Sequence, residues 1–292
     1  MDNLQWVLKD MFANTNQSDK CTKWRYYCSS SDTRNRPVHS DKKSWNYYKC
    51  GLCGTLRIDE FVNVTNIYEN EKIKTKYTNP KLIIRFKHKL LGHPIERVTG
   101  ISNFKNHKIL DIGCGNGQKL YEFYKKNSKD VYGTEMGEKK LDVARHYMPE
   151  GTFFSGDLSR SNFPKKYFDI IIADNVMEHV ENPISFFRNL VEYLNPKGQL
   201  IIYVPNGSSL SVIMFKNKSL SIWPPFHVNL FTKKYFLHNF NNVNLKFKTK
   251  THYFTFKQSM VRFGIPKIIA NFLALLLMPV AKEELIVLAK LN

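Results

Sequence analysis

Along this chain the spacing of apolar residues changes character from one stretch to the next. Over 66–107 they recur at helical spacing among charged residues, with Leu82, Ile83, Phe86, Leu90 and Leu91 on one side, and Pro94 stands where such a helix would stop. From 108 onward short apolar runs alternate with amphipathic stretches. Residues 108–112 read as a first strand, and a helix with Leu120, Phe123 and Tyr124 on one face follows. Val131 to Glu135 is a second strand, 139–147 a second helix, and Phe153-Phe154 a short third strand. Residues 168–173 (Phe-Asp-Ile-Ile-Ile-Ala) show almost no polar alternation, as a central parallel strand buried on both faces should. A helix over 184–193 is expected to end at Asn195-Pro196-Lys197-Gly198, with the next buried strand at 200–204. Residues 245–254 and 285–291 read as two further strands, with an apolar helical segment at 258–281 between them.

Alternation of strand and helix at this spacing predicts an α/β fold, a doubly wound and mostly parallel sheet with right-handed crossovers. The first 65 residues differ. They are irregular, punctuated by Trp24, Pro37 and Trp45, and hold Cys21, Cys28, Cys50 and Cys53. The predicted organisation is a small N-terminal cysteine-containing module over 1–65, a helical connector over 66–107, and a main domain over 108–292 with insertions at 207–232 and 255–283.

The most informative segment is Leu110-Asp111-Ile112-Gly113-Cys114-Gly115-Asn116-Gly117. Its glycines alternate at the junction of the first strand and its helix. There the chain must turn sharply and leave bare backbone for a ligand, at the carboxyl ends of the strands where open α/β sheets bind. The G-x-G-x-G spacing departs from the dinucleotide fingerprint G-x-G-x-x-G, which disfavours a nicotinamide-dependent dehydrogenase. Glu135 closes the second strand, where a carboxylate can accept both hydroxyls of a ribose. Asp157 follows the third, where it can accept from an adenine amino group.

Together with Tyr132-Gly133-Thr134-Glu135, Gly156-Asp157-Leu158, Phe168-Asp169, Asn175-Val176-Met177-Glu178-His179-Val180 and Val204-Pro205-Asn206, this turn makes 108–206 resemble the class I S-adenosylmethionine (SAM)-dependent methyltransferases. The group most similar is that of the ubiquinone-biosynthesis O-methyltransferases. The likeness is looser over 207–292. It implies a Rossmann-like, seven-stranded sheet with a reversed final hairpin and SAM as cofactor. It also implies that Asp111, Gly113, Cys114, Gly115 and Gly117 line the cofactor, that Glu135 holds the ribose with Met136 beside it, and that Asp157 and Leu158 frame the adenine. Asn175 and Val176 would lie at the sulfonium end. Asp111 and Cys114 also have plainer readings, as a cap on the turn's amides and as a small filler.

A methyl on a sulfonium is already activated, so the protein has mainly to align an acceptor, and for an oxygen acceptor to remove a proton. His179, after the fourth strand, and His227, in Trp223-Pro224-Pro225-Phe226-His227, are the candidate bases, with Trp223 and Phe226 either lining a pocket or packing a lid. Methylation of an adenine amino group goes with an Asn/Asp-Pro-Pro-aromatic run where this chain reads Asp174-Asn175-Val176-Met177, and pyrimidine C5 methylation needs a cysteine where none lies beyond 114. The expected acceptor is therefore an oxygen of a small molecule, a sugar or a lipid-linked molecule. An RNA methyltransferase and a catalytically inactive SAM-fold binding protein are the competing expectations.

Cysteine and charge add two further expectations. Cys50-Gly51-Leu52-Cys53-Gly54 has the form of a zinc knuckle, and Cys21 with Cys28 would complete a structural tetrahedral site, with His39 as a substitute ligand. Reduced, buried thiols are the alternative. The odd number of cysteines and their spacing suit a reducing compartment, and with no long apolar core in the first twenty residues the expected location is cytoplasmic. The net charge of +19 suits an anionic partner, yet the lysines are scattered rather than clustered. The stretch from Ile268 to Val280 is too short to cross a bilayer; it suits a buried helix or one in peripheral contact with a membrane. Oligomeric state is not legible.

Overall fold

A computed structural model describes residues 21, 23–34, 43–62, 94–101, 103–126, 128–241 and 243–291. The helix expected around Leu82–Leu91, and His39, lie outside the described residues.

The main sheet begins with β4 (Ile109–Ile112), β5 (Val131–Glu135), β6 (Thr152–Ser155) and β7 (Phe168–Asp174), and continues with β8 (Leu194–Pro205), β10 (Asn244–Lys250) and β11 (Glu284–Lys290). Its order is β10-β11-β8-β7-β4-β5-β6. β4 pairs in parallel with β5 and β7, β5 with β6, and the last two strands pair antiparallel. This is the doubly wound, mostly parallel seven-stranded sheet with a reversed final hairpin. The apolar runs behave as their lack of alternation implies: Ile109, Leu110, Ile170, Ile171, Ile172 and Ala173 are fully buried. β6 stands at the edge and is correspondingly half-exposed. Between strands run α2 (Gln118–Tyr124), α3 (Glu138–Tyr147) and α4 (Pro183–Tyr193). Ahead of them α1 (Pro94–Thr99) starts at Pro94, the first helical position, where a missing N–H costs nothing.

Three boundaries differ from the sequence expectation by more than one residue. β8 starts at Leu194, so Asn195-Pro196-Lys197-Gly198 lies within the strand. The Asn195 amide donates to Asp169, and Gly198 passes so close to Leu194 and the Phe168 carbonyl that a Cβ there would come within 2.8 Å of both. β10 ends at Lys250, because its partner β11 begins at the residue opposite, Glu284; Phe254 belongs to the next helix. The apolar segment 258–281 belongs to two helices, α7 (Tyr253–Phe263) and α8 (Lys267–Ala281), parted by Gly264 at φ 110°.

The described residues fall into two compact units. One comprises 65–174 and 189–202; the other comprises those up to 64 with 175–188 and 203–292. The second unit carries its own sheet, β1 (Trp24–Ser30), β2 (Trp45–Cys50), β3 (Leu56–Ile58) and β9 (Asn229–Leu230), in that order, with each adjacent pair antiparallel. Leu56 pairs with Leu230 and Arg57 with Asn229. The core beneath joins Trp45, Tyr47, Leu56 and Ile58 to Val212, Ile222, Val228 and Leu230. This unit also contains α5 (Leu210–Phe215) and α6 (Lys233–Asn239).

Candidate functional site

The glycine turn is built at the end of β4. Gly113, Gly115 and Gly117 all have positive φ, at 66°, 56° and 77°, where a β-carbon is strained. A Cβ on Gly115 would meet nothing within 4 Å, so this glycine keeps an open face bare rather than relieving a clash. The Gly117 amide donates to the Cys114 carbonyl, and that of Cys114 to the Thr134 carbonyl, which fastens the turn to β5. Cys114 is buried, and the absence of a side chain at Gly133 makes room for its sulfur. Burial pushes its thiol well above the usual range, as suits a filler rather than a nucleophile.

Glu135 is buried at the end of β5 and reaches back to this turn. Its Oε2 accepts from the Gly115 amide at 2.9 Å and its Oε1 from the Gly137 amide at 3.1 Å, with the Lys140 ammonium at 3.3 Å. Met136 is half-buried beside it. Asp111 is fully enclosed. Burial pushes its carboxyl up to about 7, opposed by Lys119 and reinforced by Asp174 and Glu135. Its Oδ1 finds no hydrogen-bond partner among the described residues. Lys119 itself is ion-paired with Asp174. Gly156 donates to the Glu135 carbonyl and so brings Asp157 and buried Leu158 to the same strand end. One Asp157 oxygen is engaged by Ser159, through its amide at 2.8 Å and its hydroxyl at 2.6 Å, as a cap on the following turn. A bare glycine cradle, a carboxylate at the second strand end and an orphaned buried carboxyl oxygen fit a nucleoside that carries an ammonium group.

The other unit brings His179 and His227 together, with ring centroids 5.1 Å apart. Each ring's Nδ1 faces a carbonyl, Phe226 at 2.7 Å for His179 and Ser221 at 2.8 Å for His227. A carbonyl only accepts, so Nδ1 of each neutral ring carries the proton and the lone pair sits on Nε2. Glu178 is fully buried, with Oε1 3.8 Å from Nε2 of His179. Burial and the neighbouring His179 hold His227 well below the ordinary histidine range, so it is neutral at pH 7. Tyr47 of β2 donates to the His227 carbonyl at 2.7 Å, and the Val228 amide donates to the Glu178 carbonyl at 2.8 Å. Ligand atoms of Glu178, His179 and His227 lie within 4.8 Å of one another, a grouping that could hold a metal ion. Asn175, with φ 54°, and Val176 lead into this turn, and the Asn175 amide donates to the Tyr203 carbonyl. Sequence reasoning quoted Glu178 within a motif but gave it no role, and it missed Tyr47, whose contact spans 180 positions.

Of the four cysteines offered as metal ligands, Cys21, Cys50 and Cys53 come together, buried and with their sulfurs within 4.8 Å of one another. Tetrahedral zinc bound to sulfur at about 2.3 Å would set neighbouring sulfurs about 3.8 Å apart, so the trio fits three corners of such a centre. The Cys21 and Cys53 sulfurs are 3.3 Å apart, and hydrogen bonding from Cys21 pulls the Cys53 thiol down to about 5. Gly54, at φ 75°, closes the knuckle by donating to the Cys50 carbonyl, and the Thr232 hydroxyl donates to the Cys53 carbonyl. The structure does not bring Cys28 to this group. It packs in the apolar core with Trp45 and Tyr47, where burial raises its thiol to about 11.

Comparison with known proteins agrees with this geometry. A family model described as a methyltransferase domain matches residues 83–249, over half of the chain. The ubiquinone biosynthesis O-methyltransferase of Aliivibrio fischeri is 30% identical over 122 residues, which cover 40% of this chain and 50% of that protein. A tRNA U34 carboxymethyltransferase of Pseudoalteromonas atlantica is 27% identical over 120 residues, covering 39% and 37%. The chain thus spans half or less of the length of these relatives. Among solved structures, the methyltransferase in the complex with the Haloferax volcanii Trm112 methyltransferase activator shares the fold, with a TM-score of 0.54 at 12% identity over 70% of this chain and 92% of that one. The sheet order, the glycine turn, Glu135 and the matched span agree: the chain belongs to the methyltransferase-domain family of class I SAM-dependent enzymes.

Proposed function

We propose that this protein transfers the methyl group of SAM to a hydroxyl oxygen of a small-molecule, sugar or lipid-linked acceptor. Asp111, Gly113, Cys114, Gly115 and Gly117 would line the cofactor, Glu135 with Met136 would take the ribose, Asp157 and Leu158 the adenine, and Asn175 and Val176 the sulfonium end. SAM supplies a methyl carbon activated by its positive sulfur. The chain's own task is then to bind the acceptor hydroxyl and accept its proton. The observation that carries the oxygen reading is the histidine pair. His179 and His227 each have Nδ1 committed to a carbonyl, and burial keeps His227 neutral, a state in which Nε2 can take a proton. Glu178 beside His179 steadies the resulting positive charge.

A second reading, RNA as acceptor, is favoured by one open groove of about 830 Å³. Lys23, Arg25, Lys49, Lys233 and Lys234 line it together with Tyr26, and among the described residues no carboxylate does. The tRNA-modifying relative supports the same reading. We further propose a zinc ion for which Cys21, Cys50 and Cys53 supply three of the four tetrahedral corners.

Methyl-labelled SAM, the purified chain and fractionated cell extract test the choice. Label in the lipid or small-molecule fraction, lost in His227→Ala, is the expected result. Label in RNA alone would select the second reading, and no transfer to any fraction would contradict both.

A further inference from the structure

Helix α8 carries its small residues inward and its large apolar ones outward. Ala270, Ala274 and Ala281 are buried against Phe256 and Met260 of α7 and Phe215. Ile268, Phe272, Leu275 and Leu276 are 84%, 68%, 63% and 64% exposed, and helical spacing sets them on one stripe. Phe254 and Phe263 of α7 are also more than half exposed. A helix that serves only as core turns this pattern the other way, and a contiguous apolar face of this kind marks an interaction surface.

The charge around the face says what covers it. Between residues 251 and 282 there is no Asp or Glu, while Lys257, Arg262, Lys267 and Lys282 are present. Arg262 is tied to Asp32, and Lys257 lies 5.2 Å from the Tyr253 ring centroid. Lys267 and Lys282 are exposed, as are Lys216 and Lys218 on the turn that packs against α7. A second copy of the same face would bring these lysines against one another with no carboxylate within the segment to offset them. An anionic bilayer offers both an apolar interior and phosphate charge. The 15 residues of α8 reach about 22 Å at 1.5 Å per residue, short of a hydrocarbon core of about 30 Å, and among the described residues no helix is long and apolar enough to cross a membrane. The helix can lie on a membrane but not cross it.

We propose that the α7–α8 hairpin docks in the plane of an anionic membrane surface, with Phe254, Phe263, Ile268, Phe272, Leu275 and Leu276 seated at the headgroup–acyl boundary and the lysines on lipid phosphates. The proposal does not depend on the acceptor.

The test is flotation of the full chain with phosphatidylcholine vesicles, with and without phosphatidylglycerol, beside light-scattering measurement of mass in solution. The chain should float with the anionic vesicles and less with the neutral ones. The double variant Leu275→Glu/Leu276→Glu should lose vesicle partitioning on the order of tenfold or more while its thermal midpoint stays at the wild-type value, since both side chains face outward. Three results would each overturn the proposal: a wild-type chain that stays at the bottom of the gradient, a variant that floats as well as wild type, or a stable dimer that the variant turns into a monomer.

Discussion

Glu135→Gln separates two roles that meet in one carboxylate. In the structure Glu135 braces the glycine turn by accepting from the Gly115 and Gly137 amides and pairing with Lys140. A glutamine keeps one acceptor oxygen, so one of the two amides loses its partner and the ion pair is lost. The lost bond is charge-assisted and buried, which puts the cost at about 1–3 kcal/mol. For a domain of this size that lowers the thermal midpoint by about 2–12 °C, at about 2–4 °C per kcal/mol. If the same carboxylate also holds the ribose, the amide accepts from one hydroxyl instead of two, and SAM binding weakens by about 1.5–3 kcal/mol, about 10- to 150-fold in Kd. Calorimetric titration with SAM measures the second effect and thermal melting the first. Lys140→Met serves as the control, because it removes the ion pair and leaves both amide bonds; it should cost less than about 1 kcal/mol and leave SAM affinity nearly unchanged. A Glu135→Gln protein that melts lower but binds SAM as tightly as wild type would reduce Glu135 to a brace and refute its assignment to the cofactor.

Other consequences can be measured in parallel. Asp111 keeps its proton up to about 7 when folded against 3.8 when unfolded, so from about pH 4 to 7 the folded chain binds more protons and stability falls as pH rises. Asp111→Asn should remove that dependence, gaining in thermal midpoint relative to wild type as pH rises through the window; a constant difference would show that Asp111 is ionised throughout. His179→Ala and His227→Ala should each lower kcat by about 10²- to 10⁴-fold with SAM affinity retained. The wild-type rate should hold on the acid side to well below pH 6.5, because burial depresses His227; an acid limb at 6.5 or above counts against His227 as the base. Elemental analysis should find one zinc per chain, lost in Cys50→Ser or Cys53→Ser and kept in Cys28→Ser, whose deficit should appear in stability alone. Zinc that disappears with Cys28→Ser would return that residue to the ligand set.

The parallel sheet was legible because its strands are dictated by neighbours close in sequence. β5 was expected over the very residues it occupies, Val131–Glu135, and the glycine turn declared itself through residues that a sharp bend at positive φ requires. Boundaries set by pairing were harder. Nothing within 245–254 signals that the partner strand begins at Glu284 and so leaves Phe254 to a helix. The N-terminal cysteine segment showed its knuckle but not its company. The pairing of Leu56 with Leu230, and the Tyr47 hydroxyl under His227, depend on contacts across more than 170 positions, where alternation and spacing carry no information. Cys28 was grouped with the other cysteines by residue type, and only the fold shows that its strand position faces Trp45 and Tyr47. The histidine pair was visible as two separate candidates; that they share one site follows from the turn at 221–228, which hydrogen bonds tie to Glu178 and Tyr47.

The most direct test of the central claim is calorimetric titration of the full chain with SAM, its demethylated product and NAD in parallel. Micromolar binding of the first two and none of NAD is the result this structure predicts, since the glycine turn and Glu135 suit a nucleoside on a G-x-G-x-G cradle rather than a dinucleotide. A chain that binds neither SAM nor its product would contradict the methyltransferase account and leave a fold that has kept the architecture without the chemistry.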